Sequence, residues 1–316
     1  MFRNVLVPLD GSPLAEEALA AAVAISRRTS ARLHLAHVRM LYRPPGEEVA
    51  GDPARTYLDG ACERVCAEIG ESVSFAVLPE EPPRMLLPAP SPGTVAALLH
   101  GYARDNDIDL VVMATHGRSG ISRVWFGSVA DALLRTCTLP VLLIRPKEGD
   151  AKRRWLGAHA FSHVLVPLDG SEHAHAAIAP ARAFATAFGC RISVLRVLAT
   201  PYQALDGLVP AVVVFTADQA IEVEEAAQRE LARVSGQLRA DGVDVDATTV
   251  TAPSIPNAIL DFARQNAVDL IVLATHARSG IDRVLIGSVA DKVVRGADCP
   301  VLVVREPAPR DGAVSG

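Results

Sequence analysis

The chain has 316 residues, of which 50% are apolar, 21% charged and only 4% aromatic; 31 basic and 36 acidic residues leave a formal charge of −5. This is enough aliphatic material for a sizeable core, and it excludes a disordered or fibrous chain. The weak negative charge and the scarcity of aromatics argue against a nucleic-acid partner, which calls for a basic face or stacking platforms. The N-terminus, Met1-Phe2-Arg3-Asn4-Val5-Leu6-Val7-Pro8, has no basic region ahead of a long apolar run, so it reads as a strand and not as a signal peptide. No window reaches the roughly 20 apolar residues of a membrane span. The expectation is a cytoplasmic protein with no membrane partner.

In chain order, residues 4–9 form a short apolar strand. Ser12-Pro13 opens an Ala-rich helix to about Ser30, with Ser as N-cap and Pro at the first helical position. A strand at 32–38, a helix around 54–70, a strand near 73–78 and a helix at 94–105 follow. Residues 109–114 are a buried strand, 128–137 a helix and 141–145 a last strand. Six prolines between Pro79 and Pro92 predict a rigid surface excursion, with a lid or partner site as the sharper alternative. The pattern then recurs, with strands at 164–168, 191–197, 244–250, 269–274 and 301–305. The helices of this second series fall at 172–188, 216–240, 256–266 and 288–296.

The recurrence is a sequence repeat. Residues 4–12 and 163–171 agree at eight of nine positions, and residues 109–145 and 269–305 at 22 of 37. Two copies of one domain are expected: 1–146 and 163–306, joined by a charged linker at 147–162 and followed by a tail at 307–316. Trp155 in the linker is expected to dock on a domain. Strands alternating with helices imply a parallel α/β sheet covered on both faces. The five cysteines (Cys62, Cys66, Cys137, Cys190, Cys299) are odd in number and scattered, and read as small buried hydrophobes and not as a disulfide or zinc framework. His159, His163, His173 and His175 read as a solvated cluster and not as a metal site.

In an open parallel sheet, ligands bind beyond the carboxyl ends of the strands. Two loops there are nearly unchanged between the copies. One is Pro8-Leu9-Asp10-Gly11-Ser12, repeated from Pro167 to Ser171. The other runs from Ala114 through Thr115, His116, Gly117 and Arg118 to Gly127-Ser128, repeated from Ala274 through His276 and Ala277 to Gly287-Ser288. Glycines allow close approach of backbone to phosphate, and the helix opened by Ser128 presents amides and a positive dipole end to an anion. The Ser128 hydroxyl can bond a phosphate or cap its own helix. Arg118 and Arg123 can neutralise phosphate, and Asp10 can bond a base or ribose or hold a hydrated metal. Turn and capping roles alone account for the same residues equally well. His116 and His276 read mainly as loop-ordering groups, and Arg123 and Arg283 as phosphate partners or surface charge in equal measure.

The chain resembles a tandem bacterial member of the universal stress protein family over nearly its whole length. The ATP-binding pattern of that family is Gly, two residues, Gly, nine residues, Gly, then Ser or Thr. Here it falls on Ala114, Gly117, Gly127 and Ser128, and again on Ala274, Ala277, Gly287 and Ser288, with the spacing kept and three glycines replaced by alanine. The resemblance implies two tandem Rossmann-like, adenine nucleotide alpha hydrolase-like domains, each a five-stranded parallel sheet of order 3-2-1-4-5. It implies adenine and ribose contacts at Pro8, Leu9, Asp10, Val38 and Met113, matched by Pro167, Leu168, Asp169, Val197 and Leu273. Phosphate contacts continue into Val129 and Ala130, or Val289 and Ala290. The implied ligand is ATP, with Mg2+ as an optional companion. Pairing of the final strands is implied to make an intramolecular pseudo-dimer, and a further homodimer is compatible with the sequence. Ala277 lies deep in the phosphate loop, and at positive φ it costs on the order of 1 kcal/mol or more, so the first copy is expected to bind better.

Two other readings compete: a relative that has lost ATP and acts through protein contacts, and a slow ATP hydrolase. The three lysines (Lys147, Lys152, Lys292) lie outside both loops, and no Walker, nucleophile-elbow or H-E-x-x-H motif occurs.

Overall fold

The computed structural model describes residues 2–39, 52–70, 73–79, 91–115, 127–145, 161–200, 217–275 and 287–305. In the first copy β1 (Asn4–Pro8), β2 (Arg32–Val38), β3 (Ser74–Leu78), β4 (Leu110–Ala114) and β5 (Val141–Ile144) alternate with α1 (Pro13–Thr29), α2 (Pro53–Ile69), α3 (Pro92–Asp105) and α4 (Ser128–Thr136). The second copy has β6 (His163–Leu168), β7 (Arg191–Ala199), β8 (Val245–Ala252), β9 (Leu270–Thr275) and β10 (Val301–Arg305). Its helices among the described residues are α5 (Glu172–His175), α6 (Ile178–Phe188), α7 (Ala217–Ala240), α8 (Ile255–Gln265) and α9 (Ser288–Gly296).

Capping chemistry sets the helix ends. Ser12, Asp52 and Ser91 each accept an amide hydrogen of the first turn, and each precedes a proline that has no amide to satisfy. The single helix expected over 172–188 is broken into α5 and α6. Pro180 has no N–H for the carbonyl of Ala176, and its ring crowds that carbonyl, so the chain turns there.

All ten strands join one sheet, of order β3-β2-β1-β4-β5-β10-β9-β6-β7-β8. Each half is parallel and reads 3-2-1-4-5 in its own numbering. The halves meet where β5 and β10 run antiparallel, with Leu142 opposite Leu302. The final strands are therefore the seam of the sheet, and its outer edges are β3 and β8.

Alternation along the strands divides the core between the two faces. Val5, Val7, Leu33 and Leu35 face α1 and α2, in one cluster with Phe184, Leu231 and Val234 of the second copy. Leu6, Ala36 and Val111 face α3 and α4, in one cluster with Ile259, Ile271 and Val293. Some of the scarce aromatic rings gather between the copies: Phe2 packs edge-on against Phe184, and Phe184 against Phe161, at centroid distances of 5.6 and 5.2 Å. The five cysteines are free, with Cys62, Cys137 and Cys190 buried.

Candidate functional site

The β1–α1 loop is built by local hydrogen bonds. Asp10 Oδ1 accepts the Ser12 amide at 2.9 Å, and Ser12 Oγ accepts the Ala15 amide at 3.1 Å. Gly11 supplies the φ of +83° that the turn needs. The Leu9 amide bonds the Ala36 carbonyl at 2.8 Å, and His37 Nδ1 donates to the Leu9 carbonyl at 2.9 Å, so the end of β2 holds the loop.

In the second copy Asp169 Oδ1 accepts both the amide (2.9 Å) and the hydroxyl (2.5 Å) of Ser171, whose Oγ caps α5. His37 is replaced there by Arg196. A Cβ on Gly170 (φ +84°) would lie 2.7 Å from Arg196 Nη1, so the guanidinium rests on this glycine. Glu230 holds the same guanidinium at 3.8 Å and His175 Nε2 at 2.8 Å. The two copies thus brace the same turn with different chemistry.

The β4–α4 loop leaves the sheet beside the first one, because β1 and β4 are parallel neighbours with Leu6 opposite Val111. The Thr115 amide bonds the Ile144 carbonyl at 2.9 Å, and the Gly127 amide bonds the Thr115 carbonyl. The two ends of the loop are thereby pinned together. Gly127 is the N-cap of α4 and Gly287 the N-cap of α9, and among the described residues neither helix has a side-chain cap. Ser128 is the first helical residue, so it does not cap its own helix. The open first turn of α4 contrasts with the side-chain-capped starts of α1, α2 and α3, and it is the part of the crest suited to an anion.

Val38, Met113 and Ala130 are buried in one cluster, with Val129 packed against it; Val197, Leu273, Ala290 and Val289 repeat the arrangement. They form an apolar floor beside the two loops. Leu9 and Leu168 are also buried, but in the opposite cluster. Their side chains therefore do not join that floor. Pro8, Ala114, Pro167 and Ala274 end their strands or nearly so, at the crest. Gly117, Arg118 and Ala277, with His116, His276, Arg123, Arg283 and Trp155, lie outside the described residues.

The buried Thr115 and the brace residues His37 and Arg196 were not singled out by the sequence. Thr115 recurs as Thr275, which was the available signal. The brace gave none, since its two residues differ in kind.

The expected solvated histidine cluster needs correction. His163 is buried; its Nδ1 donates to the Asn266 carbonyl at 2.9 Å, and its Nε2 meets Ser193 Oγ at 2.7 Å. Burial pushes its pKa down, as it does that of His34, which is further lowered by Arg32. No group of three or more metal-ligating side chains occurs among the described residues. No described helix is long and apolar enough to cross a membrane.

Comparison with known proteins matches this architecture. The profile of the universal stress protein family matches residues 1–145 and again 160–305. A universal stress protein of Methanocaldococcus jannaschii is 31% identical over 153 residues, 48% of this chain and 86% of its own length. One of Mycobacterium tuberculosis is 27% identical over 202 residues, 64% of this chain and 63% of its own. The solved structure of a universal stress protein from Archaeoglobus fulgidus superposes with a TM-score of 0.62 at 17% identity, covering 96% of this chain and 98% of its own. At that identity the likeness is one of fold.

Proposed function

This chain belongs to the universal stress protein family, and from that premise we propose that it is a regulatory protein that binds ATP at the crest of its sheet. The observation that carries the reading is the open first turn of α4, which begins at Gly127-Ser128 beside the Asp10 turn. The triphosphate would lie against the amides of Ser128, Val129 and Ala130, with Gly117 and Arg118 completing the loop. The adenine would rest on the apolar floor of Val38 and Met113, and the ribose would meet Asp10 beside Pro8 and Leu9. Asp10 is also the carboxylate that would hold a hydrated Mg2+. The second copy would use Pro167, Leu168, Asp169, Val197, Leu273, Ala274, Ala277, Gly287, Ser288, Val289 and Ala290 in the same roles, less tightly because of Ala277. In this reading the domains span 1–146 and 163–306, act as an intramolecular pseudo-dimer and work in the cytoplasm, and no chemical step is required of them.

Isothermal titration of the full chain with ATP tests the proposal. One tight event, weakened by Asp10→Ala, is expected; no uptake of ATP would overturn it. The alanines at 114, 274 and 277 favour a second reading, a family member that works through protein contacts without ATP. The same titration separates the two. Phosphate release above that of Asp10→Ala, during long incubation with ATP and Mg2+, would instead indicate a slow hydrolase.

A further inference from the structure

The seam carries a reciprocal pair of contacts. Arg145 follows β5, and Arg305 ends β10 at the equivalent position of the second copy. Arg145 Nη1 donates to the carbonyls of Arg295 (3.1 Å) and Ala297 (2.8 Å), at the C-terminal end of α9. Arg305 donates from Nη1 to the Cys137 carbonyl (3.2 Å) and from Nη2 to the Arg135 carbonyl (2.9 Å), at the C-terminal end of α4. The acceptors on the two helices are equivalent residues. Each arginine therefore crosses the seam to grip, by its last carbonyls, the helix whose first turn faces the other copy's crest.

We propose that Arg305 is a positioning residue of the first copy's ligand cradle, and Arg145 of the second copy's, so that each cradle is completed from across the seam. The proposal rests on the nucleotide reading above. α4 has nine residues, about 13 Å of rise, and no side-chain cap among the described residues. A short rod of this kind is placed by what holds its two ends. At the front the Gly127 amide is tied to Thr115, and at the rear Arg305 holds two carbonyls. The Arg135 side chain is committed to Asp131 within α4 at 2.8 Å, and that of Arg295 to Asp291 within α9 at 2.9 Å. A cation at the C-terminal end and an anion at the N-terminal end both suit the helix dipole. Arg305 is itself buried, which fixes the geometry it imposes.

The test uses the full chain in two backgrounds, Asp169→Ala to read the first cradle and Asp10→Ala to read the second, with ATP as the titrant. Arg305→Gln is expected to weaken ATP at the first cradle about fivefold and to leave the second unchanged; Arg145→Gln is expected to do the reverse. Arg305→Lys, which keeps the charge and a donor, should recover part of the loss. Equal weakening at both cradles, or none, overturns the proposal. Hydrogen exchange without nucleotide gives an independent readout. Arg305→Gln should speed exchange in 128–136 and not in 288–296, with the converse for Arg145→Gln. A wild-type chain that takes up no ATP would sink the nucleotide reading alone, and exchange would still decide whether each arginine holds the remote helix. Loosening of both helices by either variant overturns the clamp. Should Arg305→Gln fail to fold, the less buried Arg145→Gln carries the same comparison.

Discussion

Placing a carboxylate at the N-cap of α4 separates the stability of the crest from its use. Gly127 has φ −58° and ψ 134°, close to the capping conformation of Ser91 at −64° and 159°. Gly127→Asp can therefore bond the open first-turn amides without a change of backbone. Replacing Gly by a good cap is worth a few tenths of a kcal/mol, and the negative charge at the dipole's positive end adds about 0.3–1 kcal/mol. The apo domain should gain roughly 0.5–1 kcal/mol, a rise in Tm of about 1–4 °C. The same carboxylate would take the place of a phosphate. Two unit charges about 4 Å apart at an effective dielectric of about 20 repel by about 4 kcal/mol, which is roughly a thousandfold in affinity. Differential scanning calorimetry and ATP titration on one sample read both effects. Gly127→Asn, a neutral cap, should keep much of the stability gain and lose less affinity. Gly287→Asp, whose Cβ would meet open space, should behave likewise in the second copy. A more stable Gly127→Asp protein that still binds ATP with unchanged affinity would refute the reasoning, because the first-turn amides would then not be the anion receiver.

Ala277→Gly should raise ATP affinity in the second copy, and titration in the Asp10→Ala background measures it; an unchanged affinity would remove the argument for unequal copies. The buried histidines set an acid limit. His34 and His163 have folded pKa values below the ordinary 6.5, so the unfolded chain takes up protons first. Stability should therefore fall as pH drops below about 6.5, and urea melts between pH 7 and 5 should show a shallower fall for His163→Asn. An equally steep acid limb in that variant would clear His163 of the effect. Leu142 is fully buried at the seam, and Leu142→Ala should cost about 2–5 kcal/mol in denaturant melts. A loss below about 1 kcal/mol would mean that the seam repacks freely.

Much of the fold was legible because its signals are local. Strands of Val, Leu and Ile between capped helices announce a parallel sheet, and the repeated NVLVPLDGS and HVLVPLDGS segments announce two copies. The Asp10 turn, with glycine where φ is positive, could be read from residue type alone. Where local rules compete, the reading missed. Pro180 broke a helix whose apolar pattern runs straight through it. Grouped by sequence with His159, His173 and His175, His163 reads as solvated, yet its place at the start of β6 puts it under Asn266 and beside Ser193.

By itself the sequence determined the module, its duplication and the residue types of the crest loops, since short-range periodicity, capping and turn chemistry depend on neighbours along the chain. Only the tertiary structure decided which residues cross between the copies. Arg145 and Arg305 look alike at the ends of two strands, but their acceptors lie 150 or more positions away. The antiparallel register of β5 and β10 brings each arginine to the far end of the other copy's helix, and no local pattern encodes a meeting between groups so distant in sequence.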